Sequence, residues 1–256
     1  MEGFSQGKVF FAFPESRGYW TTDVARGILP PLRLLSGGFR PMRPLIIWDN
    51  DGVLVDTEKL YFQATRETLV EVGYDLTPDI YREHFLASSQ GTWHLMRQEG
   101  TAEQEITRLR AVRDERYLHL IGTEEIEVDG AEDVLRELHG DHRMAVATST
   151  RLSHFELIHA RTGFSSYFEL VVTADEVPAT KPDPALYRRA VERLGAAPED
   201  CVAFEDSERG LRAAKAAGLR CWVLPSALGV NADWSEADGV LDDIAQVPAV
   251  MASLGY

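Results

Sequence analysis

Short apolar runs, each ending in a polar or acidic residue, recur from residue 45 onward. LIIWD (45–49), MAVAT (144–148), ELVVTA (169–174), CVAFE (201–205) and CWVL (221–224) are too short for helices and continuous rather than alternating. That is the pattern of parallel strands buried on both faces. Helical periodicity fills the gaps between them. Asp183-Pro184 opens a helix that carries Leu186, Ala190 and Leu194 on one face and closes at Gly195. Another helix ends at Gly218, and a last one lies near 245–254. Ser153-x-x-Glu156 has capping-box spacing and predicts a helix start after MAVAT. Repeated strand–helix units predict an α/β fold built on a doubly wound parallel sheet.

One stretch breaks the alternation. Residues 59–126 show helical pattern and no strand. Over 58–72, Tyr61, Ala64, Leu69 and Val72 share a face at 100° per residue, and Gly73 sits where a C-cap belongs. Thr77-Pro78 reads as an N-cap followed by proline in the first turn. The pattern continues to about 122, with breaks at Ser88–Gly91 and Gly100. The expected organisation is therefore a core of residues 44–58 and 127–256 with a helical insertion at 59–126. Residues 1–43 show neither period and hold six basic residues against three acidic ones. They read as an extension outside the core, with Met42 as an alternative start, and VFFAF (9–13) is too short for a secretory core. Removing residues 1–41 is expected to leave activity and melting temperature intact.

Composition narrows the function. With 45% hydrophobic and 26% charged residues the chain has globular proportions, and no apolar run approaches a bilayer span. A net charge of −15 would repel a nucleic-acid backbone. Phosphate binding would require positive charge concentrated locally, by a metal, a lysine or helix N-termini. Cys201 and Cys221 both lie in strand-like runs and read as buried free thiols, which fits a cytoplasmic location. The seven histidines show no ligand spacing and read as surface or packing residues.

In doubly wound sheets chemistry gathers beyond the carboxyl ends of the strands. Those ends carry Asp49 with Asp51, Thr148 with Ser149, and Glu205 with Asp206; Lys181 lies in the loop after the strand at 169–174. Several carboxylates brought together repel unless a cation joins them, and an all-oxygen donor set suits Mg²⁺. Thr148, Ser149 and Lys181 supply donors for phosphate oxygens. Each element alone is an ordinary cap, turn or loop residue; their joint placement at strand ends is the signal.

WDNDGVLVDTE (48–58), VATST (146–150), KPDP (181–184) and FEDSERGLRAAKAAG (204–218) resemble, in order, the four motifs of the haloacid dehalogenase-like (HAD) hydrolase superfamily. The spacings from Asp49 to Thr148, Thr148 to Lys181 and Lys181 to Asp206 are 99, 33 and 25 residues. They resemble the phosphoglycolate phosphatase and β-phosphoglucomutase-like subgroup, whose helical cap follows the first motif. The resemblance implies a Rossmann-like core with an inserted α-helical cap domain and a Mg²⁺-dependent phosphatase acting on a small phosphorylated metabolite. Asp49 would be the nucleophile that forms an aspartyl-phosphate, and Asp51 the general acid and base. Asp49, the Asp51 main-chain carbonyl and Asp206 would hold the metal, with Glu205 as ligand or support. Lys181, Thr148, Ser149 and the backbone N–H groups from Asn50 onward would hold phosphate oxygens.

Asp51 argues against dehalogenase chemistry, since that branch lacks the second aspartate. The mutase branch carries a His-x-x-Ala-Trp segment at the start of its cap; here the stretch is Tyr61-Phe62-Gln63-Ala64-Thr65, so hydrolysis is the reading and a sugar-phosphate mutase the alternative. A receiver-like signalling module would be much shorter and lack the insertion, and a catalytically inactive binding module would have lost core motif residues. In the cap, Ser88-Ser89-Gln90-Gly91 is a candidate for facing the site, with no arginine until Arg97, and Trp93 and His94 read as packing or surface. Nothing in the sequence indicates an oligomeric state.

Overall fold

The computed structural model describes residues 44–86, 91–226 and 232–254, which belong to one compact unit. Residues 1–43 and Ser88–Gln90, on which two of the expectations above fall, lie outside the described residues.

The chain enters on β1 (Leu45–Trp48) and passes into α1 (Glu58–Val70), α2 (Pro78–Tyr81), α3 (Trp93–Gln98) and α4 (Glu103–Thr123). A single π-helical turn at Arg82–Leu86 extends α2. Then follow α5 (Ala131–Leu138), β2 (Met144–Ala147), α6 (Leu152–Thr162), β3 (Leu170–Val172), α7 (Ala185–Leu194) and β4 (Cys201–Glu205). The chain closes with α8 (Glu208–Ala216), β5 (Arg220–Val223), β6 (Gly239–Val240) and α9 (Val247–Ser253). Every neighbouring pair in the sheet is parallel and the order is β3-β2-β1-β4-β5-β6. The five apolar runs are thus five of the six strands, and the fold is the expected doubly wound, Rossmann-like parallel sheet.

Successive residues of β1 point to opposite faces, and both faces are covered. Ile46 and Trp48 join Val146, Phe204, Val134 and Met251 in one buried cluster, while Leu45 and Ile47 join Ala203, Leu186, Tyr187 and Leu211 in the other. This double burial is why the runs are continuously apolar. β1 sits centrally between β2 and β4, with Ile46 opposite Met144 on one side and Val202 on the other. The chain moves outward in opposite directions from β1, so the crevice at its carboxyl end is the switch point where such folds bind ligands.

The helical segment α1–α4 packs its own core from Leu69, Leu76, Tyr81, Trp93, Met96 and Ile106. Its two ends lie side by side: Val55 bridges Glu127, and the Asp56 N–H bonds the Ile126 carbonyl at 2.8 Å. Thr77 accepts the Ile80 N–H at 3.3 Å with Pro78 in the first turn, as its sequence predicts. Gly195 adopts φ +61 and closes α7.

Several local expectations differ. Ser153 lies inside α6, whose N-cap is Arg151; the Leu152 N–H is taken instead by Asp175 Oδ2 at 2.8 Å, a partner distant in sequence. α1 stops at Val70 and Val72 is exposed; the buried face uses Leu60, Ala64, Thr65, Thr68 and Leu69. α5 was not among the expected elements although Ala131, Val134, Leu135 and Leu138 share one face of it; the two-residue β6 carries too little pattern to be read from sequence.

Candidate active site

Three strand ends converge. Asp49 follows β1, where its N–H bonds the Phe204 carbonyl of β4 at 2.9 Å. Thr148 follows β2, tied by its N–H to Val172 at 3.0 Å. Glu205 ends β4 and Asp206 comes next. The ladder register thus delivers Asp49 and Asp206 together. Their carboxylates and that of Glu205 are buried, each offering an oxygen within 4.8 Å of the others. Two glycines make room for this crowding. A β-carbon at Gly52, where φ is +89, would lie 2.1 Å from Asp206 Oδ2; one at Gly210 would lie 1.9 Å from Glu205 Oε2.

Lys181 reaches the same centre from the loop before α7, with Nζ 2.5 Å from Asp49 Oδ1 and 2.6 Å from Glu205 Oε1. Only 2% of it is exposed. Glu205 Oε1 also accepts the Tyr187 hydroxyl at 2.5 Å, so this carboxylate anchors the lysine from behind. One lysine does not neutralise the group. Burial first, and then Glu205, push the Asp49 carboxyl up to about 7 against the opposing pull of Lys181. Burial, together with Asp49 and Glu205, raises Asp206 well above the carboxylate range. Buried acids whose charge is disfavoured for want of more positive charge, presenting only oxygen donors, fit a hard divalent cation.

Asp51 stands apart from this trio and is ringed by donors. Thr57 Oγ1 binds its Oδ1, while Oδ2 accepts Thr150 Oγ1 at 2.7 Å, Thr148 Oγ1 at 3.3 Å and Asn50 Nδ2 at 3.3 Å. Asn50 Oδ1 in turn meets His159 Nε2 at 2.7 Å. Burial pushes the His159 pKa down to about 4, so the ring is neutral at pH 7.

Asp49, Asp51, Ser149, Lys181 and Asp206 line one cavity of about 300 Å³. Thr148, Asn50 and Glu205 stand behind its wall. The Thr148 hydroxyl is engaged with Asp51 and the Thr150 N–H, and both polar ends of the Asn50 side chain are engaged, so neither side chain is presented to the cavity. Ser149 Oγ is buried without a protein partner.

The cavity is also walled by Tyr61, Phe85, Leu86, Arg113, Asp114 and Tyr117 from the helical segment, and by Arg151, His154 and Arg209 from the sheet side. Arg113 is 7% exposed, with its guanidinium 4.4 Å from the Tyr61 ring centroid and Nε 2.8 Å from Asp114. Arg209 packs over Phe85 at 5.1 Å, and its buried Nε has no protein partner. Trp93 and His94 do not line the cavity: Trp93 is core, and His94 Nδ1 meets the Gly91 carbonyl at 2.5 Å. Arg97 is on the surface, paired with Glu103.

Sequence reasoning missed Thr57, Thr150, Arg113, Arg209 and His159. Thr57, Thr150 and Arg209 lie inside the motif strings quoted above. Arg113 and His159 carry no local signal, because only folding brings them to residues 52 and 109 positions away. Both cysteines are free and buried, as predicted, and burial pushes Cys201 up to about 12. Among the described residues no helix is long and apolar enough to cross a membrane.

A doubly wound sheet with paired aspartates after β1, a lysine before α7 and an acidic pair at the end of β4 is an arrangement suited to phosphate chemistry. The family model for haloacid dehalogenase-like hydrolases matches residues 44–218. The protein CbbY of Cereibacter sphaeroides is 36% identical over 79% of this chain and 93% of its own length. The fructose-1-phosphate phosphatase YqaB of Escherichia coli is 35% identical over 68% of this chain and 92% of its own. The solved structure of CbbY from Rhodobacter sphaeroides in complex with phosphate superposes with a TM-score of 0.67 at 32% identity, covering 80% of this chain and 96% of that one. The chain belongs to the haloacid dehalogenase-like hydrolases, and it is a phosphatase for small phosphorylated metabolites.

Proposed function

We propose that the enzyme hydrolyses a phosphorylated sugar with Mg²⁺ through an aspartyl-phosphate on Asp49. The observation that carries this reading is the buried Asp49–Lys181–Glu205 contact beside Asp206 on the floor of the cavity. An Asp49 oxygen forms a bond to phosphorus as the ester P–O bond breaks, and the departing oxygen takes a proton from Asp51. Asp51 then removes a proton from water, which attacks phosphorus, displaces Asp49 and releases inorganic phosphate. Asp49, Asp206 and the Asp51 main-chain carbonyl would hold Mg²⁺, with Glu205 as support through Lys181. Bound there, the metal would screen the nucleophile from the phosphate and stabilise the charge in transfer. Lys181, Ser149 and the backbone N–H groups from Asn50 onward hold the phosphoryl oxygens; Thr148 contributes by orienting Asp51.

The helical segment 59–126 acts as a cap that closes over the ester and excludes water. The sugar assignment rests on the cavity, small and lined by charged and aromatic side chains, and on relatives. YqaB is a fructose-1-phosphate phosphatase, and CbbY is solved in complex with xylulose-(1,5)-bisphosphate. Hydrolysis is favoured over phosphate transfer between sugar hydroxyls because Tyr61 and its neighbours lack the histidine and tryptophan of the mutases. The two free thiols fit a cytoplasmic setting. The test is turnover of a sugar-phosphate panel by wild type and Asp49→Asn. Activity is expected to require Mg²⁺ and to be abolished by the substitution; an Asp49→Asn enzyme with more than a few per cent of wild-type turnover sinks the mechanism.

A further inference from the structure

Asn50 separates the two reactive aspartates and is fully buried, and its side chain is absent from the cavity wall. Its contacts continue inward. His159 Nε2 lies 2.7 Å from Asn50 Oδ1, and His159 Nδ1 lies 2.9 Å from Thr162 Oγ1. Thr162 Oγ1 also accepts the Phe164 N–H at 3.2 Å. Together with the Asn50–Asp51 contact these bonds form one chain from a backbone amide of the core to the carboxylate in the cavity.

The two ends set its direction. A carboxylate accepts, so Asn50 must turn its NH₂ to Asp51 and its Oδ1 to His159. The neutral ring then carries its proton on Nε2, and Nδ1 accepts the Thr162 hydroxyl hydrogen. Thr162 is completed by the Phe164 N–H, a group that can only donate. The other direction would place Asn50 Oδ1 against a carboxylate oxygen.

This chain supplies something the threonines around Asp51 do not. A hydroxyl can swing away or exchange donor for acceptor as the carboxyl gains and loses its proton. The Asn50 amide is locked by His159 and can only donate toward Asp51. The lock is also costly to place. Asn50 and His159 are polar groups among Phe155 and Phe164, whose rings lie 4.2 and 6.0 Å from the imidazole, where apolar side chains would pack without any demand for partners.

We propose that Thr162 and His159 are positioning residues that hold the Asn50 amide and, through it, the Asp51 carboxyl in line with the leaving group. The proposal rests on the acid role given to Asp51 above.

The test compares kcat/KM in Mg²⁺ for two aryl esters. p-Nitrophenyl phosphate leaves as a stable phenolate that needs no proton, whereas phenyl phosphate depends on the acid. His159→Leu is expected to lose about tenfold more on phenyl phosphate than on p-nitrophenyl phosphate, the scale of effect seen when an outer-shell partner is removed. Thr162→Val should shift the ratio in the same direction by less, and His159→Gln, which keeps a donor for Asn50, should recover part of it. The double variant Asn50→Leu/His159→Leu should be no worse than Asn50→Leu alone. Equal losses on the two esters would show a merely structural role, and multiplying losses in the double variant would show that His159 does not act through Asn50; either overturns the relay. Should His159→Leu fail to fold, the ester ratio of Thr162→Val decides by the same criterion. Asp51→Asn separates the two levels. If that variant shows no dependence on the leaving group, the acid role falls; if it does and His159→Leu does not, only the relay falls.

Discussion

Gly210 is the third residue of α8, and helix propensity alone says alanine would be better there by about 1 kcal/mol. The structure reverses the sign. A β-carbon at this position would lie 1.9 Å from Glu205 Oε2, 2.1 Å from Cδ and 2.2 Å from Oε1. Glu205 has nowhere to go, because it is fully buried and its Oε1 is held by Lys181 at 2.6 Å and Tyr187 at 2.5 Å. Forcing the carboxylate aside incurs roughly 1–3 kcal/mol of overpacking. Loss of its charged hydrogen bond to the buried lysine adds roughly 1.5–3 kcal/mol. Set against the propensity gain, Gly210→Ala should destabilise by about 1.5–5 kcal/mol, a fall of roughly 3–20 °C in melting temperature for a chain of this size. Gly122→Ala in α4 is the control, since no atom lies within 4 Å of its β-carbon; it should melt at or slightly above wild type. Both are read by circular dichroism melts at fixed pH and Mg²⁺. The double variant Glu205→Ala/Gly210→Ala should melt no lower than Glu205→Ala alone, because the obstructed group is gone. If Gly210→Ala melts at or above wild type, the packing account of the fourth motif is wrong.

Metal binding should be linked to pH through Asp49. Its folded pKa of about 7 exceeds the unfolded carboxylate value, so without metal the native state holds a proton that the unfolded chain releases. That contribution to stability is present at low pH and is lost as pH rises from about 4 through about 7. Mg²⁺ must displace the proton, so its gain in melting temperature should be larger at pH 8 than at pH 5; a gain independent of pH would refute the ligand assignment. Arg113→Met, in the wall contributed by α4, should lower kcat/KM for the preferred sugar phosphate about tenfold or more. It should leave inhibition by inorganic phosphate, which the proposed mechanism assigns to Lys181, nearly unchanged; an equal loss in both would place Arg113 at the phosphoryl group itself.

The division between what was legible in the sequence and what was not follows the range of the interactions. Strands buried on both faces advertise themselves as short apolar runs, so β1 to β5 could be read. Strand-end placement follows from one rule about parallel sheets, so Asp49, Asp206 and Lys181 could be named as candidates before their contacts were known, and the fold brings them together. Gly195 and Thr77 were readable because a cap is a local event. Ser153 was misread because its helix start is satisfied by Asp175, 23 residues away, and a better-placed acid displaces a local capping box. His159 looked like packing because nothing beside it in the chain shows that Asn50 lies across the sheet. Arg113 was invisible for a related reason: its role depends on Tyr61 turning a ring under its guanidinium.

These two kinds of residue differ in what fixes them, and that difference separates the chemistry from the choice of substrate. Asp49 is held by a ladder hydrogen bond to β4, and Glu205 and Lys181 hold each other under a buried tyrosine, so movement at any of them is resisted by the whole sheet. Arg113 is held within the insertion alone, by the ring and hydroxyl of Tyr61 on α1, the Trp93 ring on α3 and Asp114 beside it on α4. A substitution on α4 can therefore re-aim a cation over the cavity without disturbing the nucleophile. The reverse is not true, because the carboxylate trio is crowded around Lys181 and has little room to rearrange: like charges about 4 Å apart repel by roughly 4 kcal/mol at an effective dielectric near 20. The floor of the cavity therefore tolerates few alternatives, while the wall contributed by the insertion is free to vary with the phosphorylated metabolite.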